Sequence, residues 1–201
     1  MTKDVKSKYI SLVILGFALV ALLYVTIKAI QIVDKTQIGT SDGVYTHRVT
    51  TSQEIHSKAL ALTKSCKSES CQVQNLLDYV THIPYKINHF RAHSPQKTIQ
   101  NNFGDCDDKS NLLISMLHAL DKEAYFVLVP HHIFVITPIN DQKLSSKKGL
   151  WLDGKKYYIL ESTAEDSRIG FPLHYTLDEI SAIVEPFSNE KVAYTKLLYK
   201  P

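Results

Sequence analysis

Gly104-Asp105-Cys106-Asp107-Asp108-Lys109-Ser110-Asn111-Leu112-Leu113-Ile114-Ser115-Met116-Leu117-His118-Ala119-Leu120 is the stretch on which the reading of this chain turns. Leu112, Leu113, Met116, Leu117 and Leu120 recur at helical spacing on one face, and Asp105 stands where an N-cap side chain meets the first free N–H groups. The spacing predicts a helix from Cys106 to Leu120 with its apolar face turned to a core and Cys106 in its first turn. There, unpaired N–H groups and the positive end of the helix dipole favour a thiolate. Asp105, Asp107 and Asp108 act in the opposite direction, because nearby negative charge raises a thiol pKa. Asp105 as N-cap and Asp108 as first-turn acid have structural uses, and the balance at the sulfur stays open at this level.

Upstream, Thr51 and Glu54 form a capping-box pattern ahead of Ile55, Ala59 and Leu62, and Val73, Leu76, Leu77 and Val80 mark a second helix that Pro84 stops. Downstream the pattern changes to β-branched and aromatic runs at Tyr125 to Val129, His132 to Thr137 and Tyr157 to Leu160, with Asp153-Gly154 as a tight turn. A short helix is expected over Leu177 to Val184, and a strand or helix around Val192 to Tyr199. Helices first and strands afterwards predict an α+β domain with an antiparallel sheet packed on the helices.

The 201 residues, 44% apolar and 21% charged, are enough for one ordinary domain with its own core. Tyr9 to Ile27 is a run of 19 uncharged residues flanked by Lys3, Lys6, Lys8 and Lys28. At about 1.5 Å per residue it matches the hydrocarbon thickness of a bilayer. The expected organisation is a short cytoplasmic N-terminus (1–8), an uncleaved transmembrane anchor (9–33), a linker (34–50) and one domain (51–201). The lysine count favours a cytoplasmic N-terminus and a periplasmic or extracellular domain. Beyond residue 34 the chain carries 19 Lys and Arg against 18 Asp and Glu, a balance that argues against nucleic acid as a partner.

Three cysteines are too few for a disulfide scaffold. Cys66 and Cys71 are five apart and either pair or stay reduced; Cys106 stands alone. The helix from Cys106 advances about 22 Å and the following strand returns about 20 Å, bringing His131 and His132 back to the thiol. If the strand ending at Leu160 pairs antiparallel with the one beginning at His132, Glu161 falls at the same edge. A thiol, an imidazole and a carboxylate in that layout supply a nucleophile, a base and an orienting group. On an alternating strand only one of His131 and His132 faces the site. The oxyanion donors expected are the Cys106 N–H and a side chain among Gln100, Asn101 and Asn102. A rival use of Cys106, His131 and His132 is as transition-metal ligands.

Gly104-Asp105-Cys106-Asp107-Asp108, then His132-Ile133-Phe134-Val135, then Tyr158-Ile159-Leu160-Glu161-Ser162-Thr163, together resemble the transglutaminase-like superfamily of papain-type thiol enzymes. Leu76 to Tyr85 and Ser94 to Asn102 resemble the family's helix and linker before the cysteine, so the likeness spans about residues 52 to 165. It implies a papain-like core, Cys106 as nucleophile, His132 as base with His131 the alternative, and Glu161 as the orienting carboxylate. Glu161 stands where the family commonly has Asp, and Ser162 where it has Pro. Bacterial relatives include cysteine proteinases, some of which bind calcium; here Asp107 or Asp108 would be the ligands, although the expectation is no cofactor and no metal. The activity implied is hydrolysis of protein or peptide through an acyl-enzyme, with cross-linking acyl transfer or a non-catalytic binding module as alternatives.

Overall fold

The computed structural model describes residues 3–40, 43–88 and 92–201. Helix α1 (Lys3–Thr36) leads into a two-stranded sheet, β1 (Gln37–Thr40) and β2 (Gly43–Thr46). Four helices follow: α2 (Gln53–Thr63), α3 (Glu69–Thr81), α4 (Pro95–Asn101) and α5 (Cys106–His118). The strands β3 (Tyr125–Val129), β4 (His132–Thr137), β5 (Gly149–Leu152), β6 (Lys155–Leu160), β7 (Ala182–Val184) and β8 (Leu197–Lys200) complete the chain. Residues Met1–Gln37 and Ile38–Pro201 form two separate units. Within the first, Lys8–Ile30 is long and apolar enough to cross a membrane, with a mean hydropathy of 2.7.

The second unit is the α+β domain expected. Its six strands form one antiparallel sheet in the order β7-β3-β4-β6-β5-β8. Alternation along each strand sends Phe126, Leu128, Ile133, Val135, Tyr158 and Leu160 into a core shared with α2, α3 and α5. Val127, Phe134, Ile136 and Ile159 go into a second core on the opposite face. Phe171, Leu173, Tyr175 and Tyr194, from the long irregular C-terminal segment, pack against that second core. With both faces covered, β3 and β4 read as nearly unbroken apolar runs.

The local signals fall mostly in the right place, with five differences. The N-cap of α2 is Ser52, whose hydroxyl accepts from Ile55 N, and not Thr51. Pro95–Asn101, which looked like a linker, is helical, with Pro95 at its start and Ser94 as its cap. Leu177–Glu179 is a single 3₁₀ turn, and Ala182–Val184 leaves it as a strand because its three residues alternate between the two cores while pairing with β3. Leu197–Lys200 is a strand paired with β5, itself not anticipated.

The fifth difference concerns the expected linker, 34–50. Ile38 and Tyr45 are buried in the helix-side core, and the Tyr45 hydroxyl donates to Val129 O at 3.2 Å. Asn111 on α5 accepts from Arg48 N at 2.7 Å and donates to Thr46 O at 2.9 Å, and Ser115 accepts from Thr50 N at 3.0 Å. Side chains of α5 thus hold the segment by its backbone, which leaves no apolar period to read. Asn111 is fully buried and also donates to Asp107 O. Asn111→Leu, which takes the side-chain partner from Arg48 N and Thr46 O, is expected to lower unfolding free energy by about 2–4 kcal/mol in urea titration, against about 0.5 kcal/mol or less for exposed Glu54→Ala.

Candidate active site

Gly104 sets the approach to Cys106. Its N–H donates to Pro84 O at 3.2 Å and its carbonyl accepts from Lys86 N at 3.1 Å, an isolated parallel bridge that lays Tyr85 alongside. A Cβ at Gly104 would stand 2.7 Å from Asp108 Cβ, so the packing against α5 requires glycine. Asp105 then adopts extended backbone as the N-cap: Oδ1 accepts from Asp108 N at 3.3 Å, and Oδ2 from Asn88 N at 2.9 Å.

Cys106 follows as the first helical residue, half-buried and unpaired with any other cysteine. Its Sγ–H donates to Asp107 Oδ1 at 3.8 Å, and the backbones of Asp107 and Ile133 lie close enough to favour the ionised sulfur. They do not prevail. Burial first, then the charges of Asp107 and Asp105, push the thiol up to about 12. The balance left open by the sequence therefore falls on the side of the neutral thiol, in spite of the helix dipole.

His132, the first residue of β4, and Glu161, just past the end of β6, come together from adjacent strands. Val135 lies opposite Leu160, and continuing that ladder places Glu161 opposite Phe134, on the same face as His132. The ring Nε2 and Glu161 Oε2 are 2.8 Å apart. The other oxygen, Oε1, accepts from Thr163 N at 2.9 Å and Thr163 Oγ1 at 2.6 Å. Burial alone would raise the Glu161 carboxyl; the bonds from His132 and Thr163 outweigh it and hold it below its ordinary value. Ser162, in the place of the expected proline, is fully buried with its hydroxyl 3.2 Å from Ser110 Oγ on α5.

The sulfur and the imidazole approach the end of the sheet from its two sides. Cys106 packs with the helix-side core, while His132 sits parallel to Tyr175 at 6.5 Å, a residue of the opposite core. The contact with Ile133 brings the sulfur to the residue next to His132, although Cys106 and His132 share no hydrogen bond in this resting arrangement. Apo catalytic contacts are often long in this way. His131 is in the β3–β4 turn with φ +57° and exposed, so its place outside the strand, and not alternation along it, separates the two histidines.

Two residues with no expected role border the site. The phenols of Tyr85 and Tyr175 are raised, chiefly by burial and then by negative neighbours: Cys106, Asp105, Asp107 and Glu161 for Tyr85, and Glu161, Glu179 and Cys106 for Tyr175. Nothing local in the sequence marked them apart from the nine other tyrosines. The three amides offered as oxyanion donors are placed elsewhere. Asn101 Nδ2 lies 3.4 Å from His93 Nε2. Asn102, in the left-handed region, lines a cavity of about 400 Å³ with Leu62, Asn75, Asp78, Tyr79, His82 and Ile83. Gln100 is exposed on α4.

Asp107 and Asp108 do not fit a calcium site, because the chain itself uses their oxygens. Asp107 Oδ2 accepts from Thr46 N at 3.2 Å, and burial with Asp105 pushes its carboxyl up to about 7. Asp108 Oδ1 accepts from His93 N at 2.6 Å, with the His93 ring Nδ1 3.2 Å from Oδ2. Among the described residues no group of three or more His, Cys, Asp or Glu is arranged to hold a metal, which includes Cys106 with the two histidines.

The model of the transglutaminase-like superfamily matches residues 56–160, more than half of the chain. No curated protein matches. Among solved structures, a Cytophaga hutchinsonii protein provisionally described as a cysteine protease is similar at 16% identity and TM-score 0.49, over 73% of this chain and 50% of that one. A Parabacteroides distasonis protein provisionally described as a protease is similar at 17% identity and TM-score 0.46, over 73% of this chain and 29% of that one. Menin, solved for its binding site for the Mixed Lineage Leukemia protein, is similar at 19% identity and TM-score 0.40, over 62% and 29%. This chain spans half or less of each of these proteins. The family model carries the assignment, and it covers α2 through β6 with Cys106 and His132 inside it and Glu161 at its border: the chain belongs to the transglutaminase-like superfamily.

Proposed function

We propose that the domain is a thiol acyl hydrolase, a cysteine peptidase that acts on protein or peptide outside the cytoplasm and is held at the membrane by α1. The observation that carries this reading is the His132–Glu161 pair at 2.8 Å, on the strand whose next residue, Ile133, lies against the Cys106 sulfur. Nε2–H donating to Glu161 leaves Nδ1 as the ring nitrogen available to the thiol. His132 takes the proton from Sγ as sulfur bonds to the acyl carbon, then gives it to the departing amine as the C–N bond breaks. Water, deprotonated by the same ring, cleaves the thioester. Glu161 keeps the ring in the required tautomer and stabilises its charged form.

The oxyanion is met by the Cys106 N–H, one of the donors a helix cannot pair within itself, and by the Tyr85 hydroxyl on the segment bridged to Gly104. A thiol at about 12 leaves roughly one part in 10⁵ ionised at pH 7, so base catalysis by His132 has to accompany attack. A preformed thiolate–imidazolium pair does not suit this site. The high thiol pKa also favours a second reading, a binding module that keeps the fold without turnover. An amine resolving the same thioester would make the protein a cross-linking transferase. The compartment is supported by the Cys66–Cys71 disulfide, a bond that persists in oxidising surroundings, and by the lysines before Tyr9.

Hydrolysis of a quenched fluorescent peptide library is expected to vanish in Cys106→Ala, and to fall about 10³-fold or more in His132→Ala and about 10²–10⁴-fold in Glu161→Gln. Turnover that survives Cys106→Ala overturns the hydrolase, and a wild-type chain without turnover against any member favours the binding module. Incorporation of a labelled amine into product identifies the transferase.

Asp107→Asn separates the local field from burial. At pH 8 it removes a full negative charge beside the sulfur, lowers the thiol pKa, and is expected to speed alkylation by iodoacetamide by up to about tenfold. Because the folded Asp107 carboxyl is raised to about 7, the folded state takes up a proton between pH 4 and 7, and stability is lost as pH rises through that window. Asp107→Asn should therefore melt above the wild type at pH 8 and level with it near pH 4.

A further inference from the structure

Lys109, three residues beyond the nucleophile on α5, is 1% exposed. Its ammonium donates to Thr81 O at 3.1 Å and Ile83 O at 2.8 Å, carbonyls at the C-terminal end of α3. Those residues run directly into Pro84-Tyr85, the segment bridged to Gly104. On the other flank the next residue, Ser110, meets Ser162 Oγ at 3.2 Å and Ile133 O at 3.4 Å, next to Glu161 and His132. Lys109 thus stands between the two arms of the site. A buried lysine is costly, and a methionine of similar length would fill the same volume without a charge to desolvate.

We propose that Lys109 is a positioning residue for the proposed reaction: its ammonium ties the Tyr85 segment to the nucleophile's helix and supplies positive charge behind Glu161. The inference rests on the Cys106–His132–Glu161 reading. Glu161 is 8% exposed and must stay ionised while His132 alternates between neutral and charged. The groups bonded to it are His132 from β4 and Thr163 from its own turn, while the phenols of Tyr85 and Tyr175 and the ammonium of Lys109 act on it through charge alone. In each step with a neutral ring, Lys109 is the member of that set that still carries a positive charge. Burial lowers it to about 8, while Glu161 and Glu165 act to raise it.

The test uses the full-length chain in detergent with three variants: Lys109→Gln keeps a donor without the charge, Lys109→Arg keeps the charge, and Lys109→Met removes both. Peptide hydrolysis and iodoacetamide alkylation of Cys106 are followed from pH 5 to 9.5, with thermal unfolding alongside. Lys109→Gln is expected to fold, to keep KM, to lose about tenfold in kcat, and to move the acid-side midpoint of the kcat profile upward, because Glu161 then protonates more readily. Lys109→Arg should recover kcat and abolish the alkaline fall. A folded Lys109→Gln with wild-type kcat and profile overturns the proposal, since a purely structural lysine predicts that result.

Should none of the variants fold, the wild type still decides. With KM flat, kcat must fall between pH 7.5 and 9 as Lys109 loses its proton, and a level profile there overturns the assignment. His132→Ala tells the two failures apart. If it leaves alkylation and turnover unchanged, the triad falls and Lys109 falls with it; if it is inactive while Lys109→Gln behaves as wild type, Lys109 alone fails.

Discussion

A helix buried on every side has to satisfy its polar residues from neighbouring chain, and α5 is such a helix. Asp108, Lys109, Ser110, Asn111 and Ser115 are each 1% exposed or less. Asp108 holds His93, Lys109 holds the end of α3, Ser110 meets β4 and Ser162, Asn111 holds residues 46 and 48, and Ser115 holds residue 50. Each leaves a buried donor or acceptor exposed to its full desolvation cost if the partner segment departs. The irregular parts of the domain, which have little packing of their own, are located by these bonds. The surroundings of Cys106 then follow, because Cys106 opens the same helix and the segments it gathers are the ones that border the sulfur.

This arrangement separates what can be read from the sequence from what cannot. The apolar face of α5 and the strands β3, β4 and β6 were legible because their signal is a period, and a period survives without knowing the partner. So was the placing of Glu161 at the same sheet edge as His132, since antiparallel pairing of the two strands brings the end of one beside the start of the other. The docking of residues 45–50 was not legible. It depends on Asn111 and Ser115, and a polar residue on a helix otherwise patterned for one buried face reads as solvated. Ala182–Val184 misled for a different reason: three apolar residues after a capping pattern fit a helix locally, and only the edge of β3 makes them a strand.

Within the site, the extra methylene of Glu161 and the serine that follows it are related departures. The longer side chain spans from the end of β6 to the ring of His132 with Oε2 while Oε1 closes a turn on Thr163, which uses both oxygens of a nearly buried carboxylate. Ser162 provides what a proline lacks, a hydroxyl that bonds to Ser110 and so ties the strand end beside Glu161 to α5. The two positions that differ from the family's usual residues are therefore accounted for by contacts made in this chain.

The neutral state of the thiol has the same origin. Asp105 caps α5 and holds Asn88, Asp107 holds Thr46, and Asp108 holds His93, so each carboxylate beside Cys106 anchors a different segment. None of the three side chains can be truncated without loosening what it holds, and the charges of Asp107 and Asp105 add to burial, the larger cause, in keeping the sulfur protonated. The helix end that looks built to stabilise a thiolate is thus occupied by the acids that assemble it. In the proposed reaction the group that ionises Cys106 therefore acts at the moment of attack and from outside α5. The pair that meets this condition there is His132 with Glu161, held at the start of β4 and just past the end of β6, and the bonds of the three aspartates given above go to other segments.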